Sequence, residues 1–193
     1  VVSKEHLRYA PVRHQLACRA SQDVIVQPEN KETGPGILLP LMHINKRCPE
    51  AIVAVFPSDH FILEENRFME HAALAARAVA HDESRFVILA TEAQHPEVEY
   101  GYILPRANDG WVDLWGIRKA ALFVEKPDRV MARTLISAGA LWNTMIMVFK
   151  LRTLLEAMQK LCPVMYSEFS CIQGAIGTPK ETNLIMASAN VVA

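Results

Sequence analysis

The chain has 193 residues, with 20 Lys and Arg against 21 Asp and Glu and a formal net charge of -1. Hydrophobic residues make up 51% and charged residues 21%, which is typical of globular proteins and excludes intrinsic disorder. The balanced charge offers no basic surface for nucleic acid, and no run approaches the roughly 18 apolar residues of a membrane helix. We therefore expect a globular protein that binds neither nucleic acid nor membrane.

The cysteines indicate the cellular compartment, and the two ends of the chain indicate whether residues are missing. The four cysteines form no C-x-x-C pair, which favours free thiols in a reducing compartment and hence a cytoplasmic location. Residues 1–11 carry charges without a following apolar run, so they predict no signal peptide. Because the first residue is Val1 and not Met, we expect missing sequence upstream. The chain also stops at Ala193 without a helix-ending signal, so residues can be missing at the C-terminus as well.

Short apolar runs alternate with helical patterns along the chain. In order, the patterns predict a strand at 24–26, a helix at 37–46, a strand at 51–56, a helix at 64–81, a strand at 85–90, strand segments within 111–124, a helix at 130–138, a strand at 145–149 and a helix at 151–161. Asp109-Gly110 is a turn signal. The uninterrupted run at 51–56 is typical of a strand covered on both faces. The alternation predicts an α/β fold with a mostly parallel mixed sheet flanked by helices.

Two positions near strand ends are suited to ligand binding. Asp59 follows the apolar run 51–56, and a carboxylate at that edge of an α/β sheet can hold Mg²⁺ against phosphate oxygens. The alternative is that Ser58 or Asp59 caps the next helix. Gly101 stands between two tyrosines, which favours a close backbone approach by a ligand or another chain segment, whereas the alternative is a β-bulge.

Three further segments carry polar side chains in places where a ligand can bind. Glu125 can accept hydrogen bonds from sugar hydroxyls and Lys126 can neutralise phosphate; the alternative is a solvated charge pair. Asn143 can hydrogen-bond a polyol beside the indole of Trp142; the alternative is a core Trp with an Asn in a turn. The polar, Gly- and Pro-rich stretch 27–36 can offer backbone amides to a base or ribose, or it is a plain connecting loop.

Taken together and in this order, these segments resemble the mannose-1-phosphate guanylyltransferases within the wider sugar-phosphate nucleotidyltransferase family. The segments that carry the resemblance are 27–36, 56–62, 96–103, 123–128 and 137–149, and residues 2–6 resemble the segment after the family's second strand. The resemblance covers residues 1–149 and thins beyond Pro163. It implies a Rossmann-like α/β fold of the nucleotide-diphospho-sugar transferase type, with residues 1–193 as part of the catalytic domain.

The resemblance also implies a reaction and a set of site residues. The family transfers a nucleotidyl group from a nucleoside triphosphate to a sugar 1-phosphate and releases pyrophosphate, with Mg²⁺ as the cofactor. The implied partners are GTP and mannose 1-phosphate, or a related sugar phosphate. The implied roles are Asp59 as metal ligand and catalytic residue, Lys126 as the catalytic residue on the sugar phosphate, Gly101, Glu125 and Asn143 at the sugar, and Gln27, Thr33 and Gly34 near the base.

The chain departs from the family pattern in several places. The family opens with a glycine-rich loop that holds an arginine, and we expect this loop upstream of residue 1 and the chain alone to be inactive. The family's second metal-binding Asp has no counterpart that we can place. Val98-Glu99 stand where the family usually has Thr-Gly, and Thr144-Met145 stand where it has Ser-Gly.

These departures leave two alternatives open. One is a non-catalytic, nucleotide-sugar-binding regulatory protein on the same fold, and the other is a nucleotidyltransferase for another nucleotide or sugar phosphate. A homo-oligomer also stays open, for which the apolar helix at 151–161 offers an interface.

Overall fold

Strands and helices alternate as far as β4 in the computed structural model, which describes residues 1–20, 23–29, 33–106 and 115–188. The elements in chain order are β1 (Val2–Ser3), a 3₁₀ turn (His6–Arg8), α1 (Ala10–Ala17), β2 (Val26–Gln27), α2 (Thr33–Arg47), β3 (Ile52–Val55), α3 (Glu65–His81), β4 (Phe86–Glu92), β5 (Tyr102–Pro105), β6 (Ala120–Val124), α4 (Arg129–Ser137), β7 (Leu141–Lys150), α5 (Leu151–Leu161), α6 (Pro163–Ala175) and α7 (Glu181–Ser188). The chain divides into two compact units, Val1–Ala51 with Leu154–Ala193, and Ile52–Thr153. The expectation that residues 1–193 form part of one catalytic domain stays a prediction.

The first unit is mainly helical. Its strands β1 and β2 form a parallel pair in which Val2 lies opposite Val26. Helix α2 buries Leu38 and Met42 and packs against α6, and the Asn45 side-chain amide donates a hydrogen bond to Gln173 Oε1 at 3.2 Å. Helix α2 is continuous although Pro40 lies inside it, and the residues on either side of the proline, Leu39 and Leu41, are buried.

The second unit is built on a five-stranded sheet in which β7 is the central strand. Strand β7 pairs with β3, β4 and β5, and β6 adds to the far side of β5. All described pairs of this sheet are antiparallel, and β3 and β4 therefore run in the same direction. The predicted α/β class with a mixed sheet flanked by helices is confirmed, with a smaller share of parallel pairing than predicted. An apolar run reports burial and does not report the direction of the neighbouring strand.

Helices cover this sheet through small and β-branched side chains. Ala75 and Val79 of α3 pack with Val87 of β4 and Val148 of β7. A second cluster joins Ala132 and Leu135 of α4 to Tyr102 of β5 and to Ala93 and Ala140. The helix predicted at 64–81 is confirmed as α3, which buries Ala72, Ala75, Ala78 and Val79 at near-helical spacing.

The remaining predictions differ mainly at element ends. The helices predicted at 37–46, 64–81, 130–138 and 151–161 are present, and the strand predicted at 145–149 extends to Leu141–Lys150. Strand β2 lies slightly later than the predicted 24–26. The sequence patterns do not predict α1, α6 and α7, because the apolar stripes of these helices are weak. The turn at Asp109-Gly110 lies outside the described residues.

Among the helices that the structure describes, none combines the length and the apolar character needed to cross a lipid bilayer.

Candidate active site

The second unit contains a cleft of about 1160 Å³, bounded by residues of α3, β4 and β7 and by loops. The loop after β3 contributes Asp59, and the segment before β5 contributes Gly101. Glu125 follows directly after β6, and Asn143 lies in β7. Four of the residues predicted from the sequence therefore line one cavity, although they lie far apart along the chain.

Gly101 is the point of closest approach between two of these segments. Its carbonyl oxygen accepts a hydrogen bond from the Asn143 backbone N–H at 2.8 Å. A Cβ added at Gly101 would lie 2.8 Å from Glu125 Oε2 and 3.0 Å from Phe123 Cζ, so the Glu125 carboxylate would have to shift and the Phe123 ring would have to give way slightly. The glycine therefore lets the Glu125 carboxylate lie directly against the backbone, so the close approach predicted from the sequence is made by another chain segment.

The structure overturns two of the alternatives considered for these residues. Gly101 is not a bulge, because β5 begins at Tyr102 and its pairing with β6 shifts only farther along the strand. Neither Ser58 nor Asp59 caps α3, because the helix begins later and Glu64 occupies its N-cap position. Asp59 instead lies in an exposed turn that opens onto the cleft.

Asn143 is held at a bulge in β7. Along the pairing with β4, Leu89 lies opposite Ile146, whereas the next residue, Ala90, lies opposite Asn143. Residues 144–145 are therefore extra on β7 and are pushed out of the ladder, as in other β-bulges. Asn143 lies in a strand and not in a turn, which corrects that alternative.

The bulge brings Met145 onto the Asn143 side chain. Met145 has a φ of 59°, in the left-handed region that side chains other than Asn and Asp rarely adopt. Its backbone N–H donates to Asn143 Oδ1 at 2.9 Å, and Asn143 Nδ2 donates to Met145 Sδ at 3.0 Å. The Asn143 amide is thus held at both ends by a single neighbour. Trp142, half-buried, packs against the core cluster around Tyr102.

Lys126 lies beside the cleft and is paired with an acid. Its Nζ is 3.6 Å from Glu99 Oε2, with 59% of the lysine side chain and 72% of the glutamate side chain exposed. Glu99 is among the described residues that line the cleft, and Lys126 is not. Lys126 follows β6 in a bend and has a φ of 43°, so the strand alternation expected for Glu125 and Lys126 does not extend to this pair.

The cleft is rich in negative charge. Its described lining includes the carboxylates of Asp59, Glu64, Glu99 and Glu125, against the guanidinium of Arg67. A phosphorylated ligand in this cleft would need added positive charge. No group of three His, Cys, Asp or Glu among the described residues is placed to hold a metal. Because Mg²⁺ is often bound by one or two carboxylates with substrate phosphates and waters, the single carboxylate of Asp59 still fits that pattern.

Two basic residues that line the cleft were not predicted from the sequence. Arg67 and His71 lie on α3 and line the cavity. Arg67 Nη1 lies 3.3 Å from Glu64 Oε2, and His71 Nδ1 lies 2.7 Å from the Arg67 carbonyl oxygen. Their spacing places them on one face of the helix. That spacing was the available signal, but on an amphipathic helix it is equally typical of a solvated face.

The three residues predicted near a base lie in the first unit. Gln27 belongs to β2, and Thr33 and Gly34 open α2, so part of the predicted loop is helical. The Gln27 amide packs beside α2, where its Nε2 lies 3.4 Å from the position of a Cβ added to Gly36.

Comparison with known proteins places these observations in a family. A family model described as nucleotidyl transferase matches residues 4–173. The alginate biosynthesis protein AlgA of Pseudomonas aeruginosa is 31% identical over 163 residues, which are 83% of this chain and 33% of the relative. A mannose-1-phosphate guanylyltransferase of Klebsiella pneumoniae is 26% identical over 164 residues, 84% of this chain and 34% of the relative.

A solved structure shares the fold. The protein, named as mannose-1-phosphate geranyltransferase from Thermus thermophilus, superposes with a TM-score of 0.75 at 24% identity, over 92% of this chain and 49% of that chain. The chain spans about a third of the length of the curated relatives that it matches. Since the family model covers most of the sequence, the chain belongs to the nucleotidyl transferase family.

Proposed function

We propose that the complete gene product transfers a guanylyl group from GTP to mannose 1-phosphate, giving GDP-mannose and pyrophosphate. The observation that carries the proposal is the convergence of Gly101, Glu125 and Asn143 on one cleft, with Lys126 beside it. Relatives named mannose-1-phosphate guanylyltransferase in Klebsiella pneumoniae and Escherichia coli O157:H7 support this choice of substrates.

In the proposed reaction, an oxygen of the sugar phosphate attacks the α-phosphorus of the nucleotide. A new P–O bond forms as the bond to the β-phosphate oxygen breaks, and pyrophosphate leaves with the electron pair. Glu125 accepts hydrogen bonds from sugar hydroxyls, Asn143 donates to the sugar ring, and Lys126 neutralises the sugar phosphate. Holding the two substrates in line supplies most of the acceleration.

The cofactor proposed is Mg²⁺, held by Asp59 together with phosphate oxygens of the substrates. When bound, it would offset the negative charge that accumulates on those oxygens. The exposed Asp59 carboxylate fits this role because no other described residue forms a hydrogen bond or an ion pair with it. Gln27, Thr33 and Gly34 are proposed to bind the base, a role that rests on the resemblance alone.

The test is the release of pyrophosphate from GTP and mannose 1-phosphate by the natural gene product. We expect Asp59→Asn, Glu125→Gln and Lys126→Ala each to lower kcat/KM about 100-fold or more. Each substitution removes a side chain proposed to bind the metal, the sugar hydroxyls or the sugar phosphate. Lys119→Ala is the matched control, since Lys119 is exposed in the same unit and lies outside the described cleft lining. Wild-type turnover in all three site variants would contradict the assignment.

A second candidate is a non-catalytic protein that binds a nucleotide sugar. The observation that favours it is that Lys126 and Asn143, the two donors proposed for the substrate, are already engaged by Glu99 and Met145. This candidate predicts binding of GDP-mannose without pyrophosphate release.

The remaining alternative is a related transferase that uses another nucleotide. Replacing GTP by UTP, CTP or dTTP in the same pyrophosphate assay distinguishes it from the guanylyltransferase.

A further inference from the structure

The two donors proposed for the sugar phosphate are both in contact with side chains of the chain itself. Lys126 Nζ lies 3.6 Å from Glu99 Oε2, and Asn143 Nδ2 donates to Met145 Sδ at 3.0 Å. Both Glu99 and Met145 line the cleft. The Glu99 carboxylate and the Met145 thioether therefore lie next to the groups that a phosphate and a sugar oxygen would need, and they compete with a ligand for them.

Glu99 is held in place by the backbone around it. Glu97 Oε1 accepts hydrogen bonds from the backbone N–H groups of Val98, at 2.9 Å, and Glu99, at 3.3 Å. The Tyr102 hydroxyl donates to the Glu97 carbonyl oxygen at 2.8 Å, and Tyr102 itself is fully buried. The loop that carries Glu99 is thus tied to the core, and its carboxylate is presented to Lys126 from a fixed backbone.

Met145 is held by the bulge in β7. The Thr144 hydroxyl donates to the Leu89 carbonyl oxygen, which fixes the extra residues of β7 against β4. With Met145 at a positive φ, the side chain leaves the strand in a direction that a regular ladder would not give it. The strained backbone and the thioether on Asn143 are therefore parts of one arrangement.

We propose that Glu99 and Met145 are specificity-determining residues that compete with the sugar phosphate for Lys126 and Asn143. The inference rests on the proposed function of the cleft. A bound ligand must weaken both contacts, because its phosphate competes with the Glu99 carboxylate for the charge of Lys126 and its sugar oxygen competes with the Met145 thioether for Asn143. Removing Glu99 also removes a negative charge that repels an incoming phosphate, so its effect depends on ligand charge.

The test is the affinity of the protein for mannose 1-phosphate, measured calorimetrically at low salt. We expect Glu99→Gln to tighten binding about twofold to fivefold, the scale of one exposed ion pair, and to lose this gain at high salt. Free mannose, which carries no phosphate, should show no change. Glu92→Gln is the matched control, because Glu92 is an exposed carboxylate of the same sheet outside the described cleft lining.

Met145 is tested with two variants. Met145→Gly removes the thioether and is compatible with the positive φ, so we expect tighter binding and an unchanged or higher Tm. Met145→Leu keeps the bulk but not the sulfur acceptor, so its gain should be smaller. Wild-type affinity in both Glu99→Gln and Met145→Gly would overturn the proposal.

A second measurement needs no substrate. Acetylation of Lys126 by acetic anhydride, followed by mass spectrometry, reports whether its amine is free. Faster labelling in Glu99→Gln, with Glu92→Gln at the wild-type rate, supports the competition, and an unchanged rate contradicts it. Faster labelling without binding of mannose 1-phosphate by any variant supports the contact with Glu99 and overturns the proposed function of the cleft.

Discussion

The absence of a single methyl group at Gly101 leaves the space that the Glu125 carboxylate occupies. In Gly101→Ala the new Cβ would meet Glu125 Oε2 at 2.8 Å and Phe123 Cζ at 3.0 Å, so both side chains must move. Overpacking of this kind costs about 1–3 kcal/mol, and relaxation of two exposed side chains favours the lower end. We expect a small loss of Tm and a weakening of mannose 1-phosphate binding of at least tenfold, measured by calorimetry.

Gly174→Ala is the control for that substitution. Gly174 lies in helix α6, and a Cβ there would meet no atom within 4 Å. Because glycine in a helix costs about 0.5–1 kcal/mol relative to alanine, this variant should be slightly more stable than the wild type and bind mannose 1-phosphate normally. Normal binding by Gly101→Ala as well would show that the position of Glu125 against Gly101 does not matter for the ligand.

The residues of the site could be predicted from the sequence, whereas the side chains that they contact could not. Asp59, Gly101, Glu125 and Asn143 were predicted from local patterns and from the resemblance, and the structure brings them to one cleft. The pairing of Lys126 with Glu99 was not predicted, because it joins two segments whose relative position depends on the pairing of β5 with β6. No local pattern reports such a contact.

At the scale of the element, one side chain caps the N-terminus of helix α4. Asp128 is its N-cap residue, and Asp128 Oδ1 accepts a hydrogen bond from the Met131 backbone N–H at 2.7 Å. Asp128→Ala leaves that donor without its partner and should lower the free energy of unfolding by about 1 kcal/mol. Urea denaturation measures the loss, and Asp128→Asn, which keeps a capping oxygen, should recover most of it. An alanine variant as stable as the wild type would contradict the role of this cap.

Elements with strong periodicity were predictable, and their pairing was not. Helices α3 and α5 follow from apolar spacing that any tertiary fold would need to bury. The antiparallel partners of β7 were mispredicted as a mostly parallel arrangement, because apolar runs carry no information on direction. The bulge at residues 144–145 could not be predicted either, since the sequence around Thr144 contains no residues typical of a turn.

At the scale of the whole molecule, resistance to acid is expected to depend on a cluster around Glu83. Glu83 Oε1 lies 2.8 Å from Lys150 Nζ, and its Oε2 lies 3.1 Å from Arg152 Nη2. The hydrogen bond from Lys150, followed by the charges of Lys150 and Arg152, holds the pKa of Glu83 below its usual value of 4.5. A lowered pKa contributes stability above the unfolded value, and this contribution is lost as the pH falls through the folded value.

Glu83→Gln should therefore lower the urea midpoint at pH 7 and flatten the loss of stability below about pH 4.5. The loss at pH 7 follows because the Lys150 side chain is only 7% exposed and would lose a carboxylate partner. Urea titrations at pH 7 and pH 3 make the comparison, with Glu70→Gln, an exposed residue of α3, as the control. An equal drop at both pH values would show that the effect is steric and not one of charge.

The central position of β7 also sets the order in which the second unit can be made. Ile52 of β3 pairs with Lys150, so the first strand of the sheet must wait for the last. At translation rates of about 5–20 residues per second, β3 is synthesised about 5 to 20 s before its partner segment of β7. During that time the apolar surfaces of β3 and β4 lack the strand that they pair with in the native sheet. Completion of this sheet therefore waits for β7, whereas β5 and β6 can pair earlier, and chaperones that shield nascent apolar segments can act on β3 and β4 during this interval.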